Sequence, residues 1–238
     1  MEWVVTLSGG AHALEELSKV FDTPDLCIQR ENGGFNLRSE GFRDFVSYEE
    51  VQESVTKILP ALNGATKLAA LGSYTPITIG SISEIRDDGT KFAYLSATSS
   101  VVVSVTCSIT VIHADGTIEE DLPAAPVVTW FELSKRDAHV EWALRLIEND
   151  SETWQGLYKI YEAIEDDVGH IPEKGWCTET KLKRFKRTAN NQGALGVHAR
   201  HGEMRSPPAN PMPLPSAKSL IRGFLDEWFK EKRAQYDF

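Results

Sequence analysis

The apolar residues of this 238-residue chain change period part-way along it, and that change limits the folds open to it. The first half mixes strand-like runs, one of them strictly alternating, with two helical stretches. Residues 2–7 read as a strand, and Gly9-Gly10 leads into a helix over about 11–21 with Leu14, Leu17, Val20 and Phe21 inward. Leu26 to Arg30 and Phe35 to Arg38 flank Asn32-Gly33-Gly34, a hairpin turn. Ser47 and Glu50 have capping-box spacing before a helix striped with Val51, Val55, Ile58 and Leu59. Ile77 to Ile85 is joined to Phe92 to Ala97 through Asp87-Asp88-Gly89. Over residues 101–112, Val101, Val103, Val105, Cys107, Ile109 and Val111 share one face. Ser104, Thr106, Ser108 and Thr110 share the other, which predicts an antiparallel strand with one wet face. Asp115-Gly116 is the next turn. Pro123 and Pro126 interrupt the path before a last strand, Val127 to Phe131.

From Ser134 the period becomes 3.6. Ser134 to Asp137 starts a helix carrying Val140, Leu144 and Ile147, and Ser151 caps a second. In the second, Trp154, Leu157, Ile160, Tyr161, Ile164 and Val168 form a helical stripe. Thr178 or Thr180 opens a basic helix, and Ser216 opens a last one with Leu220, Ile221, Phe224, Leu225 and Trp228 buried. The expected class is α+β. Residues 1–133 form a domain with an antiparallel sheet and helices, and residues 134–238 form an all-helical module. Trp142 and Trp154 are expected to bury area near the junction.

Charge divides at nearly the same place. Residues 1–150 carry 23 acidic against 11 basic side chains, whereas residues 151–238 carry 12 against 14, within a net charge of −10. Lys181 to Arg205 concentrates seven of the basic residues with two histidines. An acidic whole argues against indiscriminate coating of nucleic acid, and a local basic face stays compatible with it. No window approaches the roughly 18 apolar residues of a membrane span, and MEWVVTLSGG lacks the basic and apolar regions of a signal peptide. Cys27, Cys107 and Cys177 are odd in number and widely spaced, which points to a reducing cytoplasm rather than a disulfide framework.

The motifs of common chemistries are missing. Gly9-Gly10 fits neither GxGxxG nor GxxxxGK[ST], so it reads as a plain turn. His198 and His201 would share a helical face, with Glu203 or Cys177 to help, but glycines at 193, 196 and 202 oppose a regular helix there. No metal and no cofactor are expected. Glu162, Glu165, Asp166 and Asp167 crowd the C-terminal end of their helix, where the macrodipole disfavours acids, so they call for cationic partners. Lys181, Lys183, Arg184, Lys186 and Arg187 are the nearest in sequence. Leu182 and Phe185 are expected to anchor that helix, turning Lys181, Arg184 and Lys183 or Lys186 outward.

LYKIYEAIEDDVG, RFKRTAN, ARHG and NPMPL, followed by a closing helix, resemble a module recurring in uncharacterised bacterial proteins. More faintly, ARHG before a proline-containing linker and final helix resembles the end of HEPN-type helical domains. That resemblance implies a metal-independent ribonuclease using Arg187 or Arg200 with His201, or an inactive binding relative. The family's Arg and His lie a few residues apart, whereas Arg187 is farther from His201 and Arg200 adjoins it. The leading expectation is a non-enzymatic cytoplasmic interaction protein. It would present Lys181, Lys183, Arg184, Lys186, Arg187 and Arg205 to nucleic acid or an acidic protein surface, with no membrane partner.

Overall fold

The computed structural model describes residues 1–31, 33–70, 74–95, 111–112, 118–119, 124–201 and 206–238. The chain divides into two compact units, Met1–Val128 and Thr129–Phe238. The first holds a six-stranded antiparallel sheet and the second is helical, so the protein is α+β.

In the first unit, β1 (Glu2–Ser8) lies at the middle of the sheet. β2 (Asp22–Thr23), β3 (Leu26–Glu31) and β4 (Gly34–Arg38) lie to one side, β5 (Thr78–Ile85) and β6 (Lys91–Leu95) to the other. Both expected turns join paired strands. Glu31 pairs with Gly34 around Gly33, and Ile85 pairs with Lys91 around Gly89. Gly33 and Gly89 both have φ of +81°, a conformation that favours glycine. Register places Val5 opposite Leu37 and Ile82, and Leu37 opposite Ile28, so these four buried residues share a face. α1 (Ala11–Val20) packs on β3 with Leu14 and Leu17 buried, and α2 (Tyr48–Ala69) packs on β5. Ser47 and Glu50 complete their capping box. α2 runs nearly three turns past the expected stripe because Ala61, Leu62, Ala65 and Leu68 are also buried. Of the expected strand 101–112, only β7 (Val111–Ile112) lies within the described residues, paired antiparallel with β8 (Ile118–Glu119).

The expected strand Val127 to Phe131 is instead part of a helix, α3 (Ala124–Ser134). A short apolar run carries no period of its own. Pro126 is the third residue of α3, where no intrahelical N–H partner is needed. In the second unit, α4 (Ala138–Asp150) is capped by Asp137, which accepts from the His139 and Val140 amides. α5 (Trp154–Val168) is capped by Thr153 rather than Ser151. α6 (Glu179–Ala189) is capped by Thr178, α7 (Gln192–Leu195) is short, and α8 (Leu214–Gln235) begins two residues before Ser216.

α5 is the hub of this unit, packing against α4, α6 and α8. Its expected stripe is buried as far as Ile164, opposite Leu220, Ile221, Phe224, Leu225 and Trp228 of α8. Phe185 of α6 closes the other side, with Trp154, Tyr158 and Tyr161 rings all 5.7–5.8 Å from its own. Trp142 departs from expectation: it is 56% exposed, on the face of α4 turned away from Val140, Ala143, Leu144 and Ile147. Among the described residues, no helix is long and apolar enough to cross a membrane.

Candidate functional site

α6 orients the basic segment. Leu182, Phe185, Thr188 and Ala189 are fully buried on its inner side. A helix turns about 100° per residue, so Lys183 and Arg187 are carried to the opposite side, with half-buried Arg184 and Lys186 on the flanks and Lys181 exposed in the first turn. The apolar anchors thus act as the sequence predicts, but the cations have distinct environments.

Arg184 holds the chain that follows. Its Nε donates to the Asn210 carbonyl at 3.0 Å, and its Nη2 donates to Asn210 Oδ1 at 2.8 Å and the Pro211 carbonyl at 2.9 Å. One turn on, buried Thr188 Oγ1 accepts from the Met212 amide at 2.9 Å. RFKRTAN and NPMPL are therefore two sides of one contact. Arg200, from ARHG, reaches α5. Its Nη2 is 2.9 Å from Glu162 Oε1, its guanidinium lies 4.4 Å above the Tyr158 ring, and its amide donates to the Ala189 carbonyl. Lys186 donates to the Tyr161 hydroxyl at 2.9 Å and lies 3.8 Å from Glu165 Oε2. The Tyr161 hydroxyl in turn donates to Glu165. Burial, then the Glu165 carboxylate, push that phenol far above its ordinary value, so it stays a donor.

The remaining cations are freer. Lys183 makes an exposed ion pair with Glu179, one turn back on α6, at 3.2 Å. The Lys181 and Arg187 side chains form no hydrogen bond or ion pair with another described residue. Arg187 and Lys186 border a shallow cleft of about 380 Å³ completed by Asn190, Asn191, Ser206 and Pro208. Asn191 accepts from the Ala194 amide and donates to the Ser206 carbonyl, which fixes that rim. Arg205 and Glu203 lie outside the described residues.

The acidic end of α5 finds partners, though only some of those nearest in sequence. Glu165 meets Lys186 and His170, and Glu162 meets Arg200. Asp166 and Asp167 turn to the opposite flank. There Asp166 faces His139 at 3.3 Å, and Asp167 accepts from Trp228 Nε1 at 2.7 Å and Lys232 at 2.9 Å. Lys181, Lys183, Arg184 and Arg187 take no part in this pairing among the described residues. His198 closes a short 3-10 turn and His201 is exposed beyond it. No group of three or more His, Cys, Asp or Glu placed to hold a metal occurs among the described residues.

The chain matches no family model, no curated protein and no solved structure. The site therefore rests on its own geometry. The Asp137–Lys232–Asp167 cluster was only half legible in the sequence: Asp167 calls for a cation and Asp137 stands at a helix start, but the cation is Lys232 rather than one of the α6 residues nearest in sequence.

Proposed function

We propose that this protein is a non-enzymatic interaction protein whose helical unit presents the outer ridge of α6 to a polyanionic partner, a nucleic acid or an acidic protein surface. The observation that carries the reading is the division of labour on one helix. Leu182 and Phe185 are buried, Arg184 straps the linker, and Lys181, Lys183 and Arg187 are left facing solvent. The Lys183–Glu179 pair is no obstacle, because exposed pairs of this spacing are screened by water and hold little. The cysteine pattern suits a reducing cytoplasm, and Cys27 and Cys177 are free thiols.

Binding is favoured over metal-independent RNA cleavage by two features. Arg200 is committed to Glu162 and Tyr158. His201 adjoins Arg200 and lies well beyond Arg187 in sequence, so neither arginine has the few-residue spacing that the ribonuclease resemblance implies.

Fluorescence anisotropy with labelled single-stranded and duplex oligonucleotides, and with a poly-glutamate peptide, tests the reading. Three phosphate contacts predict a slope of log affinity against log salt of about −2 to −3, from roughly 0.7–0.9 per contact. The triple substitution Lys181→Glu, Lys183→Glu, Arg187→Glu should abolish it without changing the far-UV circular dichroism. Binding to the peptide alone selects the acidic protein partner. No binding to any probe at low salt, or binding untouched by the triple substitution, sinks the proposal. Oligonucleotide cleavage lost in His201→Ala with binding retained would instead support the ribonuclease.

A further inference from the structure

We propose that His170 is a proton-operated control on this face, setting how far Lys183 and Lys186 are available to a polyanion; the proposal rests on the reading of α6 given above.

A chain of six side chains leaves α6 and returns to it. Lys186 donates to Tyr161, and Tyr161 donates to Glu165. Glu165 Oε1 lies 3.5 Å from His170 Nδ1, and His170 Nε2 lies 2.9 Å from Glu179 Oε2. Glu179 Oε1 then lies 3.2 Å from Lys183. His170 stands at the centre, between α5 and α6, with a carboxylate on each ring nitrogen. Glu173, in the turn that follows, adds a third carboxylate to its field. Asp166 and Asp167 are engaged with His139 and Lys232 instead.

This geometry discriminates between protonation states. An imidazolium donates from both nitrogens and satisfies both carboxylates. A neutral ring has one N–H, so whichever tautomer forms, a lone pair is turned towards a carboxylate. The arrangement favours the charged ring. The Glu179 hydrogen bond, partly opposed by desolvation and reinforced by Glu165, holds His170 above the ordinary histidine value.

The consequence for α6 follows from competition. Each carboxylate of the relay also serves a lysine, directly or through Tyr161. While His170 is charged, Glu179 and Glu165 are shared with it, and Lys183 and Lys186 are less fully neutralised. As pH rises through the raised His170 value the ring loses its charge, and both carboxylates turn to the lysines. The patch then loses one positive charge and two lysines are held more closely. Polyanion binding should therefore be tighter below the His170 transition than above it.

Two measurements on the full chain decide the matter. The first follows the His170 ring by ¹H–¹⁵N NMR as pH is varied, without any ligand. The double variant Lys183→Gln, Lys186→Gln should raise the His170 midpoint, because both carboxylates lose their competitors. An unmoved midpoint overturns the competition whether or not anything binds α6. The second measures affinity for a single-stranded oligonucleotide at about pH 6 and about pH 8. The gain at low pH should be about two- to fivefold, the scale of one exposed charge pair. His170→Gln should remove that gain, whereas His139→Gln, His198→Gln and His201→Gln should keep it. A pH dependence that survives His170→Gln overturns the proposal. If the midpoint moves but no oligonucleotide binds at either pH, the reading of α6 fails and the regulatory role falls with it, while the proton coupling stands.

Discussion

Lys232 Nζ lies 2.6 Å from Asp137 Oδ2, and both side chains are only 5% exposed although they are 95 residues apart in the chain. Asp167 completes the pair at 2.8 Å from the ammonium, and Tyr236 donates to Asp137. Asp137 also caps α4, so one buried carboxylate ties the start of α4 to the end of α8. Removing one partner strands the other charges, and such losses run to about 3–5 kcal/mol. Lys232→Met and Asp137→Ala should each lower urea-unfolding stability by about 3 kcal/mol or more. A loss in either below about 1 kcal/mol would mean that water reaches the cluster.

The same cluster sets pH limits on stability. Burial alone would raise the Asp137 value, but the Lys232 hydrogen bond and the Val140 amide more than offset it, leaving the carboxyl below its ordinary value. A depressed acid stabilises the fold above its unfolded value, near 3.9, and that contribution is lost as pH falls through the folded value. Lys232 has the opposite sign. Burial would lower it, but hydrogen bonds to Asp137 and Asp167 prevail and hold it above its ordinary value. Its contribution is complete below about pH 10.4 and is lost as pH rises through the folded value. Thermal unfolding should show both losses, and Lys232→Met should remove the alkaline one.

Two helical glycines should respond in opposite ways to alanine. A Cβ on Gly156, in the first turn of α5, would stand 1.8 Å from the Asp150 carbonyl oxygen, so the α4–α5 connection would have to move. Gly156→Ala should cost about 1–3 kcal/mol, the range for forced overpacking. At Gly223, within α8, nothing lies within 4 Å of such a Cβ. Gly223→Ala should stabilise by about 0.5–1 kcal/mol through helix propensity. Melting temperatures of the two variants check both signs.

In the sheet unit, Asn63 of α2 satisfies the backbone of Ile77 at both ends. Its Oδ1 accepts from the Ile77 amide at 2.9 Å, and its Nδ2 donates to the Ile77 carbonyl at 3.0 Å. Both groups are buried. Asn63→Leu keeps the approximate volume and leaves two backbone groups unpaired, each costing about 1–3 kcal/mol. A loss of about 2–4 kcal/mol in urea unfolding is expected. An unchanged midpoint would show that the loop before β5 finds other partners.

Much of this architecture could be read from the chain because its causes are local. The apolar run in residues 2–7, the Asn32-Gly33-Gly34 and Asp87-Asp88-Gly89 turns, the Ser47–Glu50 capping box and the α5 stripe all depend on residues a few positions apart. Leu182 and Phe185 as anchors of α6 belong to the same class. Val127 to Phe131 did not, since a five-residue, mostly apolar run satisfies a buried helix as well as a strand. What only the tertiary structure decided is which charges are left over. Lys183 and Arg184 are neighbours of identical sign, yet one faces solvent beside Glu179 and the other is fastened to Asn210 and Pro211. Arg200 is taken up by Glu162, and Lys232 finds Asp137 across the helical unit. Periodicity fixes the face on which a side chain lies, because backbone geometry repeats. The partner it meets there depends on which distant segment packs alongside, and no local pattern encodes that.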